Sequence, residues 1–327
     1  MTARSYALHG LHLAVTGWGE AVEALHARLA RLSALHGDGA PDVTLEIVAE
    51  ADSTEAPSAM RRGRPVYDPP DGAVLYDDGA DRLYLEIGPR LRAVCEPSRG
   101  WARLACAAAG GEERAGDLWT LSHPLATLPL VELLKRRGLY SVHAAGLCRN
   151  GRGLLLPGTS GAGKSTLTLA LARAGCGLLG DDTLFLAQRP EGLRLLAFPD
   201  EIDLTPQTVA FFPDLLPRLA APRPGWRKRQ LRPEDAYGAE VVWECAPGHL
   251  VFPRVSGREE SRLIALDSAE ALCELAPNVL LTEPASSQAH LDALAGLVAA
   301  SACWRLETGR DLDGAARLLT DLFEEKT

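Results

Sequence analysis

Gly158 to Thr166 reads GTSGAGKST and fills every fixed position of the phosphate-binding pattern G-x-x-x-x-G-K-[ST]. It follows the apolar run Leu154, Leu155, Leu156 and opens a segment with helical periodicity, so it belongs at a strand-to-helix turn. Gly158, Gly161 and Gly163, with Thr159, Ser160 and Ala162 between them, turn backbone N–H groups inward around a phosphate, and the helix N-terminus adds a favourable dipole. Lys164 reaches the β- and γ-phosphates, Ser165 can ligand Mg²⁺, and Thr166 closes the motif. Nucleotide binding is the firm expectation.

Two further groups bear on what the terminal phosphate is used for. Asp181-Asp182 follows the loop helix after a helix-stopping Gly175 and a short apolar run, Leu178-Leu179. If that run is a strand beside the loop strand, with the helix as crossover, its C-terminal end returns to the phosphate edge of the sheet. One carboxylate can then hold the metal, and the other can take the proton of a hydroxyl acceptor during in-line phosphoryl transfer. The alternative is a merely acidic turn. His143 enters through a hairpin. The runs Tyr140 to Cys148 and Gly153 to Pro157 flank Asn150-Gly151, a strong hairpin signal. Pairing 149 with 152 and counting onward sets His143 opposite Gly158, close enough to interact across the ladder. A slip of one residue would turn it to the other face.

The elements that position these residues read as α/β. Residues 5 to 15 look like a strand containing a glycine, followed by a helix over Glu20 to Leu32. Strands are expected over Val43 to Val48, Gly72 to Tyr76, Arg82 to Ile87 and Leu91 to Cys95, with a long loop from Ala51 to Asp71. A long helix is expected from about Asp117 to Arg137, after the Gly110-Gly111 loop, with Pro124 and Pro129 at its start or at kinks. The domain boundary is placed near residue 115, giving an N-terminal α+β domain over 1–115 and a P-loop domain over 116–327. Past the aspartates, the pattern gives a strand over His249 to Val255 and helices over Ser268 to Leu275 and Gln288 to Ala300. A strand at Cys303 to Leu306 and a closing helix from Asp311 to Glu325 complete the chain.

At 327 residues and 46% hydrophobic content the chain can bury a large core and is long enough for two domains. Its formal net charge of -9 argues against nucleic acid or an anionic membrane as the main partner. No segment approaches the length of a membrane span, the opening MTARSYALHG lacks a charged region followed by an apolar signal core, and a cytoplasmic protein is expected. The seven cysteines, Cys95, Cys106, Cys148, Cys176, Cys245, Cys273 and Cys303, are scattered without C-x-x-C spacing and read as reduced thiols. His9 and His12 are expected to be ordinary surface or core histidines. Two weaker features remain. Asp200, Glu201 and Asp203 could line an acceptor pocket or a solvated loop, and the basic tract Arg223, Arg227, Lys228, Arg229 and Arg232 could neutralise transition-state charge, grip a peptide, or simply be exposed.

His143, the Gly151 to Gly153 turn, the loop Gly158 to Ser165, Gly175 and Asp181-Asp182 together resemble, without a gap, the catalytic domain of the HPr kinase/phosphorylase family and its relatives, which include peptide-precursor kinases. The resemblance covers about Tyr140 to Asp182. It implies an HPr-kinase-type P-loop fold, ATP or another phosphate donor in the loop, and Mg²⁺ managed by Ser165 and one aspartate. The other aspartate, in contact with His143, would act as base toward a serine-like hydroxyl. Asp182 is favoured as base, which leaves Asp181 to the metal. Thr159 and Thr166 stand where HPr kinases usually carry Asp and Glu, and the downstream Glu-x-Arg-Gly-Leu-Gly signature is not found. The resulting expectation is a kinase acting on Ser or Thr of a peptide or protein, and the possibility of a homo-oligomer stays open. A small alcohol as acceptor, or a nucleotide-binding regulator with little turnover, are the alternatives.

Overall fold

A computed structural model describes residues 2–17, 19–35, 39–49, 63–69, 71–107, 111–222 and 226–324. It is a mixed α/β structure of two compact units, Met1–Leu139 with Leu280–Gln288, and Tyr140–Val279 with Ala289–Thr327. Residue 115, where the sequence places a boundary, therefore falls inside the first unit.

The first unit is built on a nine-stranded sheet of order β3-β1-β2-β4-β9-β8-β7-β6-β5. Its strands are β1 (Thr2–Leu8), β2 (Leu11–Gly17), β3 (Ser33–Ala34), β4 (Val43–Ala49), β5 (Arg64–Tyr67), β6 (Gly72–Asp77), β7 (Arg82–Ile87), β8 (Leu91–Glu96) and β9 (Trp101–Cys106). The single strand expected over 5 to 15 is instead a hairpin. His9 (φ 52) and Gly10 (φ 93) both take the left-handed conformation that a tight reversal needs, so the chain turns where simple periodicity reads straight through. β5 occupies part of the expected loop from Ala51 to Asp71; residues 51–62 and 70 lie outside the described residues.

Helix α1 (Gly19–Leu29) buries Val22, Leu25 and Leu29. The single long helix expected over 117 to 137 is divided into α2 (Gly111–Thr120), a π-helical turn (Leu121–Leu125) and α3 (Thr127–Lys135). The break is at Pro124, which cannot donate a helical hydrogen bond and displaces His123 to φ -158, ψ 118.

The second unit holds β10 (Tyr140–Arg149), β11 (Arg152–Pro157), β12 (Gly177–Gly180), β13 (Thr183–Arg189), β14 (Gly192–Leu196), β17 (Glu244–Val255), β18 (Arg262–Ala265) and β19 (Ala302–Thr308). Their order is β11-β10-β13-β14-β17-β19-β18, with β12 on β10 and a further pairing of β11 with β17. A separate two-stranded ribbon joins β15 (Ile202–Leu204) to β16 (Arg229–Leu231). The helices are α4 (Lys164–Arg173), α5 (Pro206–Phe211), α6 (Ser268–Leu275) and α8 (Leu312–Asp321), while α7 (Pro284–Ala299) begins in the segment counted with the first unit. Asp267 and Glu270 form a capping box on α6, a device that contributes about 1 kcal/mol.

The apolar run of β11 does not alternate because both of its faces are buried. Leu154 and Leu156 join a core with Leu167, Ala170 and Leu171 of α4, whereas Leu155 joins one with Val142, Leu184 and Leu250. Burial of each such leucine contributes roughly 1.5–3 kcal/mol. The position of β12 differs from expectation. It pairs with β10, antiparallel, so β10 stands between it and the loop strand β11. The consequence drawn from it survives, because β12 still runs parallel to β11 and delivers Asp181-Asp182 to the same edge.

Candidate functional site

The hairpin forms in the register counted from its turn, from Arg149 opposite Arg152 to Ala144 opposite Pro157. Asn150 (φ 53) and Gly151 (φ 76) both adopt positive φ, as a two-residue turn of this hand requires. One step beyond the ladder, β10 changes partner. His143 pairs with Thr183 of β13, and the Ala144 N–H donates to the Asp182 carbonyl at 3.1 Å. That switch of partners brings His143 beside Asp182, the residue before its new neighbour Thr183.

The loop has the conformation its glycines permit, with Gly158 at φ 151, Gly161 at φ 87 and Gly163 at φ 97. Gly163 caps α4 without a side-chain hydrogen bond, an arrangement in which the first N–H groups of a ten-residue helix can bind an anion. Lys164 Nζ donates to the carbonyls of Gly158 (2.5 Å) and Thr159 (3.3 Å), and reaches Nε2 of His143 at 3.2 Å. His143 Nδ1 lies 3.3 Å from Asp182 Oδ1. An ammonium only donates, so Nε2 accepts, and the imidazole proton sits on Nδ1 facing Asp182. Thr183 Oγ1 donates to the other carboxylate oxygen at 3.2 Å. Asp182 remains half-exposed, open to an incoming group, while two neighbours fix its plane.

Asp181 is its opposite. It is buried, its Oδ2 accepts from Ser165 Oγ at 2.7 Å, and its Oδ1 is buried without a partner. Burial pushes its carboxyl up to about 7, against the Ser165 hydrogen bond that favours ionisation. Ser165 and Asp181 fit a Mg²⁺ ion, which takes one or two protein oxygens and fills its remaining positions with phosphate and water. Burial also lowers the pKa of Lys164, and the nearby aspartates oppose that shift. The Thr166 hydroxyl lies 3.1 Å from that of Thr208, which is 3.1 Å from that of Thr205, the N-cap of α5.

His143, Lys164, Ser165, Asp181 and Asp182 are thus brought into one cluster. The acidic segment is partly drawn in. Asp200 lines a small cleft with Gly180 and Asp181, whereas Asp203 accepts from Gln230. Glu201 donates its backbone N–H to Asp200. Of the basic tract, Arg232 pairs with Asp235, Arg229 binds the carbonyls of Leu219 and Ala220, and Arg223 lies outside the described residues. Thr183 and Thr208 escape sequence reasoning. Thr183 alone carries a signal, since it adjoins Asp182. The seven cysteines are free thiols, six of them buried, and no helix among the described residues is long and apolar enough to cross a membrane.

No protein-family model matches the chain, and no curated protein matches it. Among solved structures, the chain is similar to one described as the HPr(Ser) kinase/phosphatase from Coxiella burnetii. Identity is 14%, the match covers 56% of this chain and 93% of that one, and the TM-score is 0.31. That likeness is partial, and the chemistry of the site rests on its own geometry.

Proposed function

We propose that the chain is a Mg²⁺-dependent kinase that transfers the γ-phosphoryl group of ATP to a hydroxyl, with Ser or Thr of a peptide or protein as the acceptor. The observation that carries this reading is Asp182, a half-exposed carboxylate held by His143 and Thr183 beside the lysine of a phosphate loop. A binding loop alone needs no such group, whereas transfer to an alcohol needs a base at that place.

Each residue then has one task. The loop amides and Lys164 hold the donor phosphates, and Ser165 with Asp181 would hold Mg²⁺, which supplies neutralisation of the charge on the phosphates. Asp182 accepts the proton of the acceptor hydroxyl as its oxygen bonds to the γ-phosphorus, and the bond from that phosphorus to the bridging oxygen breaks to leave ADP. His143 orients Asp182 through Nδ1–H and spaces it from Lys164.

The test offers purified protein Mg-ATP with Ser/Thr peptides and small alcohols, followed by mass spectrometry. Asp182→Asn is expected to lower transfer roughly 10²- to 10⁴-fold while leaving ATP affinity nearly unchanged. ADP released at the same rate with and without every acceptor, by the variant as by the native chain, would sink the proposal. A phosphorylated alcohol with no phosphopeptide would change the acceptor class and keep the base.

A further inference from the structure

The loop strand β11 has two neighbours. β10 flanks it on one side and brings His143, which pairs with β13 and stands beside Asp182. β17 flanks it on the other, parallel, with Leu155 opposite Leu250, and runs on past that pairing to Val255. Val251 lies in the core with Leu167 and Ala170 of α4, and Phe252 in the core on the opposite face. Strand alternation therefore puts Val255 on the α4 face and Arg254 on the other, where Arg254 pairs with Glu274 of α6 at 3.1 Å. A distance fixes the place of Val255 as well. A Cβ built on Gly163, the residue before Lys164, would stand 3.8 Å from its Cγ2, so the valine borders the phosphate loop itself.

At that border Val255 is left 69% exposed. Single exposed apolar residues are ordinary on protein surfaces, but this one stands on a wall that is held in place. The loop after β17 is stitched to the loop after β19. The Ser256 N–H donates to the Thr308 carbonyl at 2.8 Å, that of Arg310 to the Arg258 carbonyl at 3.0 Å, and that of Asp311 to the Glu259 carbonyl at 3.1 Å. The Gly309 N–H donates to Ser261 Oγ at 2.9 Å. Two arginines of the wall are engaged by carboxylates, Arg258 by Glu307 at 3.4 Å and Arg310 by Glu259 at 3.1 Å. At Val255 the wall offers the loop a fixed apolar surface, which suits an uncharged part of a ligand better than another phosphate.

In-line transfer decides which part of the ligand that is, because the attacking and leaving oxygens lie on opposite sides of the transferred phosphorus. With Asp182 as base, the acceptor approaches from the flank of β10 and β13, which leaves the flank of β17 to the diphosphate and its nucleoside. Resting on that reading of the site, we infer that Val255 is the apolar seat of the donor's nucleoside, packing against its sugar and base. The contact takes the exposed methyl groups of Val255 out of water, and it selects a nucleoside triphosphate over inorganic polyphosphate as the donor.

Calorimetric titration of the full chain with Mg-AMP-PNP and with Mg-tripolyphosphate separates a nucleoside contact from a phosphate contact, without knowledge of the acceptor. The native protein is expected to bind AMP-PNP more tightly than tripolyphosphate. Val255→Ala is expected to weaken AMP-PNP binding roughly threefold to tenfold, the effect of losing one or two buried methyl groups, while tripolyphosphate affinity stays within about twofold. Val255→Ile is expected to keep most of the native preference. Equal loss for both ligands in Val255→Ala, an unaltered AMP-PNP affinity, or a native chain that binds tripolyphosphate as tightly as AMP-PNP overturns the inference while leaving the kinase reading intact. Failure of the native chain to bind either ligand overturns both. Circular dichroism of each variant separates misfolding from a lost contact.

Discussion

Asp181 and Asp182 are adjacent in sequence and opposite in environment, and the proposed division into metal ligand and base rests on that contrast. Asp181 carries a pKa raised from 3.8 to about 7 by burial. The sign for stability follows from linkage. Between about pH 4 and pH 7 the folded state keeps a proton that the unfolded state has lost, so this residue's contribution declines as pH rises through that window and is level above it. The decline is at most about 4 kcal/mol at 1.36 kcal/mol per unit. In urea titrations at pH 5 and pH 8, Asp181→Asn should therefore gain stability relative to the native chain at the higher pH. Mg²⁺ with nucleotide should remove that gain, because the metal requires the ionised form. A gap between the two proteins that does not change with pH would contradict the assignment. For Lys164, which contacts two loop carbonyls and His143, Lys164→Ala should weaken nucleotide binding roughly 10- to 100-fold by fluorescence titration, the cost of its charge-assisted bonds.

At the scale of the element, the β10–β11 hairpin carries Ala144 opposite Pro157, and His143, one residue beyond, is paired with Thr183 of β13 and not with Gly158. Its turn needs two successive residues at positive φ, and Gly151, at φ 76, has open space where a side chain would stand. A substitution there meets backbone strain and no clash. Gly151→Val should lower stability by about 1–2 kcal/mol in denaturant titration, with nucleotide affinity nearly preserved if the register holds. A large loss of affinity at unchanged stability would mean that the register has slipped and turned His143 away. The hairpin was legible because its signal is local, two turn residues between apolar runs. The place of β12 was not, because Leu178-Leu179 is as apolar beside β10 as beside β11. Nothing in a run of that length chooses its neighbour.

At the scale of the whole molecule, the first unit takes in a distant segment, Leu280–Gln288, through a buried polar network. Lys135 Nζ pairs with Glu132 at 2.6 Å and donates to the carbonyl of Leu280 and the hydroxyl of Thr282, which in turn donates to Glu132 at 2.8 Å. Arg136 reaches Glu283 at 2.6 Å. Glu132 is fully buried, and removing Lys135 leaves its charge to Arg136 alone, at 3.3 Å. Lys135→Met should cost up to about 3 kcal/mol, since Arg136 still faces Glu132, and the double variant with Glu132→Leu should recover part of it, because paired apolar replacement removes the buried charge as well. Thermal unfolding of the two variants measures both. A double variant no more stable than the single one would show that the network holds the segment by geometry more than by charge compensation.

The loop GTSGAGKST, the helix that follows it, the hairpin register and the adjacency of Asp181 to Asp182 are determined by the sequence alone, because each depends on residues within a few positions of one another. Which carboxylate is buried, which is held by His143, and that Thr208 meets Thr166 were decided only by the tertiary structure. Burial and cross-strand neighbours are properties of distant segments brought together. Local pattern records that a residue is polar, and the packing around it decides whether it is buried, held by a neighbour or left open to solvent.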